Sequence, residues 1–228
     1  MKKIITPLLT GMLLTLIILG VRSNILEQKA VDHSKLPEKV EENRGFQRWI
    51  TNLKNKGFEI EADAFKLKEE NEIYNLKWIK VYSADDEEIL KTYQKYLETL
   101  KNTPKVVFSP SERLFIDYRN ITRDGYESNE VHFLGQRDDK IIDARILDCS
   151  IKANCYFDMA YFLDNDVFVV SEISRNISKY DEEVEPCSID DSCEYTFKVH
   201  VIDLVNNQRL VYESPAFEGV VSQIIPEL

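Results

Sequence analysis

The chain has 228 residues, and its 43% hydrophobic content is ample for a core of ordinary domain size. Its 40 acidic residues outnumber 29 basic ones, giving a formal charge of −11; such a surface favours solubility and repels nucleic acid and anionic lipid. Beyond residue 23 the glycines are Gly45, Gly57, Gly125, Gly135 and Gly219. They are too isolated to build a phosphate-cradling loop, a dinucleotide fingerprint or a nucleophile elbow.

Lys2 and Lys3 precede an uncharged, mostly apolar run from Ile4 to Val21, the pattern of an export signal. Val21-Arg22-Ser23 places small residues where a signal peptidase reads them, so cleavage after Ser23 is one outcome. The other is retention of residues 4–21 as a membrane anchor with the lysines cytoplasmic. Either way the remainder lies outside the cytoplasm. Residues 1–23 hold three basic residues and no acidic one, so 26 basic residues face 40 acidic ones after removal, a charge of −14.

Residues 24–36 read as a polar tether. Residues 37–104 read as a helical and hairpin region. From Pro37 a helical period begins, with Phe46, Trp49, Ile50 and Leu53 on one stripe and Gly57 at its C-terminal end. FEIEADAFKL and IYNLKWIKVY alternate as strands around KEENE, which predicts a hairpin. Ser83 and Asp86 suggest a capping box for a second helix running to about Lys101, with Ile89, Leu90, Tyr93, Leu97 and Leu100 inward. The acidic residues from Asp85 to Glu88 suit its N-terminal dipole. Trp49 and Trp78 fall on inward stripes, which assigns them to the core.

Residues 105–228 change character, becoming short strands separated by polar turns. VVF, RLFIDYR, EVHFLG and KIIDARIL form one set; FDMAYFL, VFVVSEIS, TFKVHVIDL and QRLVYES form the other. FSPSERLFIDY (108–118) parallels FLDNDVFVVSE (162–172). EVHFLGQRDDKIIDA (130–144) parallels KVHVIDLVNNQRLVYE (198–213), including a shared Val-His pair. The expected fold class is α+β: two N-terminal helices with a small hairpin, then two antiparallel four-stranded β-meanders, the alternative being a β-sandwich. Phe108-Ser109-Pro110 before a strand, followed by three strands with a polar turn, resembles a blade of the WD-repeat type of β-propeller. The resemblance covers residues 105–214. It implies meander topology and use as a binding surface, and it carries over no catalytic residue, since the family's Gly-His and Trp-Asp pairs are absent.

The four cysteines occur as CSIKANC and CSIDDSC. Outside the cytoplasm an even count reads as disulfides. Four cysteines allow three pairings; the polar, turn-compatible spacers favour Cys149–Cys155 and Cys187–Cys193. Zinc sites use two- to four-residue gaps, and thiol-redox motifs use two.

Among the histidines, His33 lies in the tether. His132 and His200 hold matching places in the two meanders, and strand parity sets each opposite its apolar neighbours. They read as solvent-facing or edge residues; a functional reading has them flank a shared polar groove. Asp181, Glu182, Glu183, Glu185, Asp190, Asp191 and Glu194 crowd the insertion at 181–194, which reads as a solvated run with calcium binding as the alternative. Asp164-Asn165-Asp166 reads as a turn. Asn120-Ile121-Thr122 and Asn176-Ile177-Ser178 fit the glycosylation sequon. No catalytic, cofactor-binding or metal residue is assigned. The sequence therefore points to an exported envelope protein that binds an unknown protein partner there. The alternative is a cell-wall or carbohydrate hydrolase working through carboxylates, recognisable as a concave pocket with two acids.

Overall fold

The computed structural model describes Leu36 and residues 39–73, 79–123, 126–178, 180–181 and 187–228. The apolar leader, most of the tether, Trp78, and Glu182, Glu183 and Glu185 lie outside the described residues, together with the expectations resting on them.

Helix α1 spans Arg44–Asn55. Its N-cap is Asn43, whose side-chain oxygen accepts from Gly45 N and Phe46 N at 2.8 and 3.3 Å. The expected start at Pro37 is thus seven residues early, because the chain makes only a short 3-10 turn at Val40–Glu42 before extending at Asn43. Phe46, Trp49, Ile50 and Leu53 are all buried, as their spacing predicts. At the far end Gly57 adopts φ +91°, a left-handed conformation that side chains disfavour. Gly57 N donates to Lys54 O, and Phe58 N to Leu53 O, each at 3.0 Å, closing the helix in a Schellman turn. Helix α2 spans Glu87–Leu100 and is capped by Asp86, not by Ser83: Asp86 Oδ1 accepts from Glu88 N and Ile89 N. Ser83 serves the preceding turn, accepting from Asp85 N.

Among the described residues twelve strands follow the order β1 Lys66–Glu72, β2 Ile79–Ser83, β3 Val106–Phe108, β4 Leu114–Asp117, β5 Asn120–Arg123 and β6 Tyr126–Arg137; then β7 Lys140–Asp148, β8 Tyr156–Phe162, β9 Val167–Ser174, β10 Ser192–Asp203, β11 Gln208–Glu213 and β12 Phe217–Val220, before a helical turn α3 at Val221–Ile224. They form two antiparallel sheets. The first is ordered β1-β11-β10-β9-β8, with β12 on β10; the second is β2-β7-β6-β4-β3, with β5 on β6.

The expected hairpin does not form. β1 pairs with β11 (Lys66↔Glu213) and β2 with β7 (Ile79↔Ala144), so the two strands enter different sheets. KEENE is the body of β1 itself, and residues 58–61 form no strand. Alternation marks a strand but not its partner. β11 and β7, whose backbone groups would otherwise be left at an edge, take up β1 and β2 respectively.

Residues Lys35–Leu228 cluster as one unit. Its layers run α1, first sheet, second sheet, α2. The α1 stripe packs on Val167, Val169, Phe197, Val199 and Val201 of the first sheet. The opposite face of that sheet, with Phe168, Val170 and Ile202, packs on Ile116, Val131, Phe133 and Ile146 of the second. Phe133 and Phe168 stack across this seam at 6.3 Å. Tyr93 and Leu100 of α2 cover Phe115 and Ile141 on the second sheet's outer face. β9 therefore lies between two apolar layers and all eight of its residues are buried. Coarsely, the chain is a mainly antiparallel β-structure with few helices, compatible with both fold classes expected.

Candidate functional site

A cleft of about 640 Å³ opens between α2 and the outer face of the second sheet. Five elements supply its polar groups, joined by Arg119 just after β4: Lys80 and Tyr82 from β2, Glu88 and Tyr96 from α2, Asp117 from β4, Glu130 and His132 from β6, and Asp143 from β7. Because alternate strand residues share a face, Lys80 and Tyr82 line the cleft together, as do Glu130, His132 and Leu134. His132 is held between two acids. Its Nε2 lies 2.8 Å from Glu130 Oε2, and its Nδ1 3.7 Å from Asp143 Oδ1. Arg145 Nη1 donates to Glu130 Oε1 at 2.7 Å and lies 3.2 Å from Asp148. Asp117 accepts from Arg119 Nε and Nη2 at 2.9 and 2.6 Å.

These contacts set the protonation states. The Asp143 carboxylate raises the His132 pKa above its ordinary value; burial opposes the shift and Glu130 adds to it. Burial would by itself raise the Glu130 carboxyl, but His132 and Arg145 outweigh it and hold the group below the usual carboxylate range. Burial pushes the Tyr93 hydroxyl up to about 12, and that hydroxyl donates to Arg113 O at 3.0 Å. The cleft thus holds His132 with a carboxylate near each ring nitrogen, and its fixed charges and tyrosines can orient a ligand.

A second polar cluster is buried in the seam between the sheets. Glu172 of β9 is 2% exposed. Its Oε1 accepts from Lys152 Nζ at 2.6 Å and from Ser174 Oγ at 2.9 Å, and its Oε2 accepts from His200 Nε2 at 3.0 Å. Burial raises the carboxyl, yet these partners reverse the effect and keep it ionised, well below the usual range. Burial lowers the His200 pKa, leaving a neutral ring. Lys152 is carried by the Cys149–Cys155 loop, which Asn129 holds by donating from Nδ2 to Cys155 O at 2.7 Å.

The two histidines do not share a groove, and His200 is no surface residue: it is 3% exposed. Parity was right, since each points away from its valine and phenylalanine neighbours. The layering makes the difference, because the His132 face meets α2 while the His200 face meets the other sheet. Both disulfides join the expected partners, with Cα separations of 5.4 Å for Cys149–Cys155 and 6.6 Å for Cys187–Cys193. Cys149, Cys155 and Glu172 place potential ligand atoms within 4.8 Å of one another, but the two sulfurs bond each other.

Trp49 is buried as expected and also donates from Nε1 to Asp158 Oδ2 at 2.6 Å. Asp164 Oδ1 accepts from Asp166 N and Val167 N at 2.7 Å, the turn chemistry its triplet suggests. Asn120 is not an open glycan acceptor: its amide exchanges two 3.1 Å hydrogen bonds with the backbone of Phe157. Asp191 accepts from Ser188 N at 3.1 Å within the second disulfide loop. Sequence reasoning missed Glu172 and Lys152. The available signal was a lone acid inside the apolar run VFVVSEIS.

No protein-family model, curated protein or solved structure matches this chain.

Function therefore rests on the geometry of the molecule itself. The two disulfides suit an oxidising, extracytoplasmic compartment. No helix among the described residues is long and apolar enough to cross a membrane.

Proposed function

We propose that the protein is an extracytoplasmic binding module that receives an extended segment of a partner protein along β2, with alternate side chains of that segment entering the α2 cleft. The leader delivers it to the envelope, either as an anchor or as a cleaved signal.

The observation that carries this reading is the junction of edge and cleft. Among the described residues β2 ends its sheet, and Lys80, Val81, Tyr82 and Ser83 are exposed. An unpaired strand edge offers main-chain hydrogen bonds, and a pocket beside it offers side-chain selectivity, which is how strand addition works. Of the other sheet ends, β1 carries Lys66, Lys68, Glu69, Glu70 and Glu72, β3 is three residues long, and every residue of β8 is buried or half-buried. Val81 is 55% exposed, and Tyr82 and Tyr96 are 37% and 40% exposed. Tyrosine faces beside Glu88, on a chain of charge −11, favour a segment with a basic side chain.

Hydrolysis would require a carboxyl kept protonated near neutral pH. The cleft does the opposite with Glu130 and engages both nitrogens of His132.

On this reading the two meanders are copies of one unit stacked in the same sense, as the blade resemblance implies. In each, the third strand (β6, β10) has 12 residues and carries a short extra strand, β5 or β12, at its N-terminal end. Val131 faces the first sheet and Val199 faces α1, which suits tandem stacking rather than a mirrored sandwich.

The test is fluorescence anisotropy with a labelled nonapeptide of alternating arginine and valine. Binding weakened about ten-fold or more by Tyr96→Ala, and unchanged by Lys68→Ala on β1, supports the reading. No binding, or equal loss in both variants, overturns it.

A further inference from the structure

The seam between the sheets contains a cavity of about 240 Å³, separate from the partner cleft. Its floor is a diagonal row across the inner face of the first sheet: Glu172 on β9, His200 on β10 and Arg209 on β11. The register sets this row, since Val170 pairs with His200 and Ile202 pairs with Arg209. Lys152 enters from the disulfide loop, and Arg145 and Asp148 of β7 face it from the second sheet.

Two features of this lining call for a ligand. The first is His200. A carboxylate only accepts, so His200 Nε2 must carry the hydrogen in its 3.0 Å bond to Glu172, and the neutral ring leaves Nδ1 as a bare acceptor. That nitrogen is wholly buried and has no hydrogen-bond partner among the described residues. A buried acceptor left in this state costs stability unless a donor reaches it. The second is charge. Glu172 is matched by Lys152 at 2.6 Å, while Arg145 is shared between Glu130 at 2.7 Å and Asp148 at 3.2 Å. Among the described residues Arg209 donates from Nε to Asn71 Oδ1 at 2.8 Å and lies 3.8 Å from Glu69, with Glu172 acting on it through space. The cavity therefore shows a ligand one under-neutralised guanidinium and one lone pair.

We propose that this cavity binds a small oxyanion that keeps a proton at neutral pH, with hydrogen phosphate as the type. Its ionised oxygens accept from Arg209, and its hydroxyl donates to His200 Nδ1. Guanidinium suits such an oxyanion through paired N–H donors. The volume exceeds that of several waters at about 30 Å³ each, so a tetrahedral ion fits with water to spare. The same geometry rejects sulfate, which matches phosphate in size and shape but has no hydroxyl at pH 7. Its oxygens would face the Nδ1 lone pair with no hydrogen between them. A site built around a hydrogen bond discriminates strongly against the analogue that lacks it.

The experiment is isothermal titration of the oxidised full-length protein at pH 7 with inorganic phosphate and, separately, with sodium sulfate. The expected result is phosphate binding, with sulfate weaker by about ten-fold or more. Arg209→Gln should weaken phosphate by a similar factor of about ten. The comparison of ions on the unmodified protein stands even if that variant folds poorly. Sulfate binding as tightly as phosphate reduces the site to an unselective basic pocket and overturns the proposal. Absence of phosphate heat up to about 10 mM, the weak end of specific binding, overturns it as well.

Discussion

Replacing Lys152 by methionine isolates the cost of an unbalanced charge in the seam. The substitution keeps the length and apolar stem of the side chain but removes the ammonium 2.6 Å from Glu172 Oε1. Glu172 would keep its bonds from His200 and Ser174, both neutral donors. Removing one partner of a buried pair costs about 3–5 kcal/mol. The Lys152 side chain is 28% exposed and Glu172 3%, so solvent takes part of the burden and roughly 2–4 kcal/mol is expected. For a chain of this size each kcal/mol lowers Tm by about 2–4 °C. The sign of the pH dependence follows from the depressed Glu172 pKa. Its stabilisation is fully present above the unfolded carboxyl value and is lost as pH falls toward the lower folded value. Without Lys152 the depression shrinks but does not vanish, so the gap between variant and parent should hold from pH 7 to about pH 4 and narrow below it. Urea unfolding under non-reducing conditions across that range and below it measures both quantities. A deficit below about 1 kcal/mol, equal at every pH, would show Lys152 to be an ordinary solvated lysine and refute the reasoning.

Removing the Cys149–Cys155 bond by a double serine substitution should cost about 2 kcal/mol for a ring this small, read from the same unfolding curves. Gly135 pairs with Leu114, and an added Cβ would lie 2.2 Å from Leu114 Cδ2 and 3.0 Å from its Cα. Gly135→Ala should therefore destabilise by roughly 1–3 kcal/mol, whereas Gly57→Ala, with open space but φ +91°, should cost only about 1 kcal/mol. Proton NMR should place the His132 titration midpoint above its ordinary value, and Asp143→Asn should bring it down. Because that pKa is raised, the His132 contribution to stability is full below the unfolded value near 6.5 and fades as pH rises through the folded midpoint. A His132→Gln variant whose stability keeps the parent's dependence over that window would contradict this assignment.

What the sequence revealed were local features. Phe46, Trp49, Ile50 and Leu53 declare their helix because a 3.6-residue period is a property of neighbours, and Gly57 closes it for a reason visible in one residue. The meander strands were legible from alternation and turns, and the cysteine rings from short spacers. Pairing between distant strands was not. β1 and β2 alternate convincingly, yet which edge each joins depends on sheets formed by residues up to 147 positions away, as with Lys66 and Glu213. Burial of His200 was hidden for a similar reason. Its parity was readable, but only the stacking of one sheet on the other turns an outward face into a seam. The cleft was the least legible feature, since α2 and strands β2, β4, β6 and β7 each contribute a few side chains to it.

The most direct test of the binding account is site-specific photo-crosslinking in the native envelope. A benzoylphenylalanine placed at Val81 on β2 is compared with one placed at Lys68 on β1. Both positions are exposed strand residues at sheet edges. The account predicts one discrete adduct from position 81, lost when Tyr96→Ala is added, and none from position 68. The same adducts from both positions, or an adduct from 81 that ignores Tyr96, would contradict it.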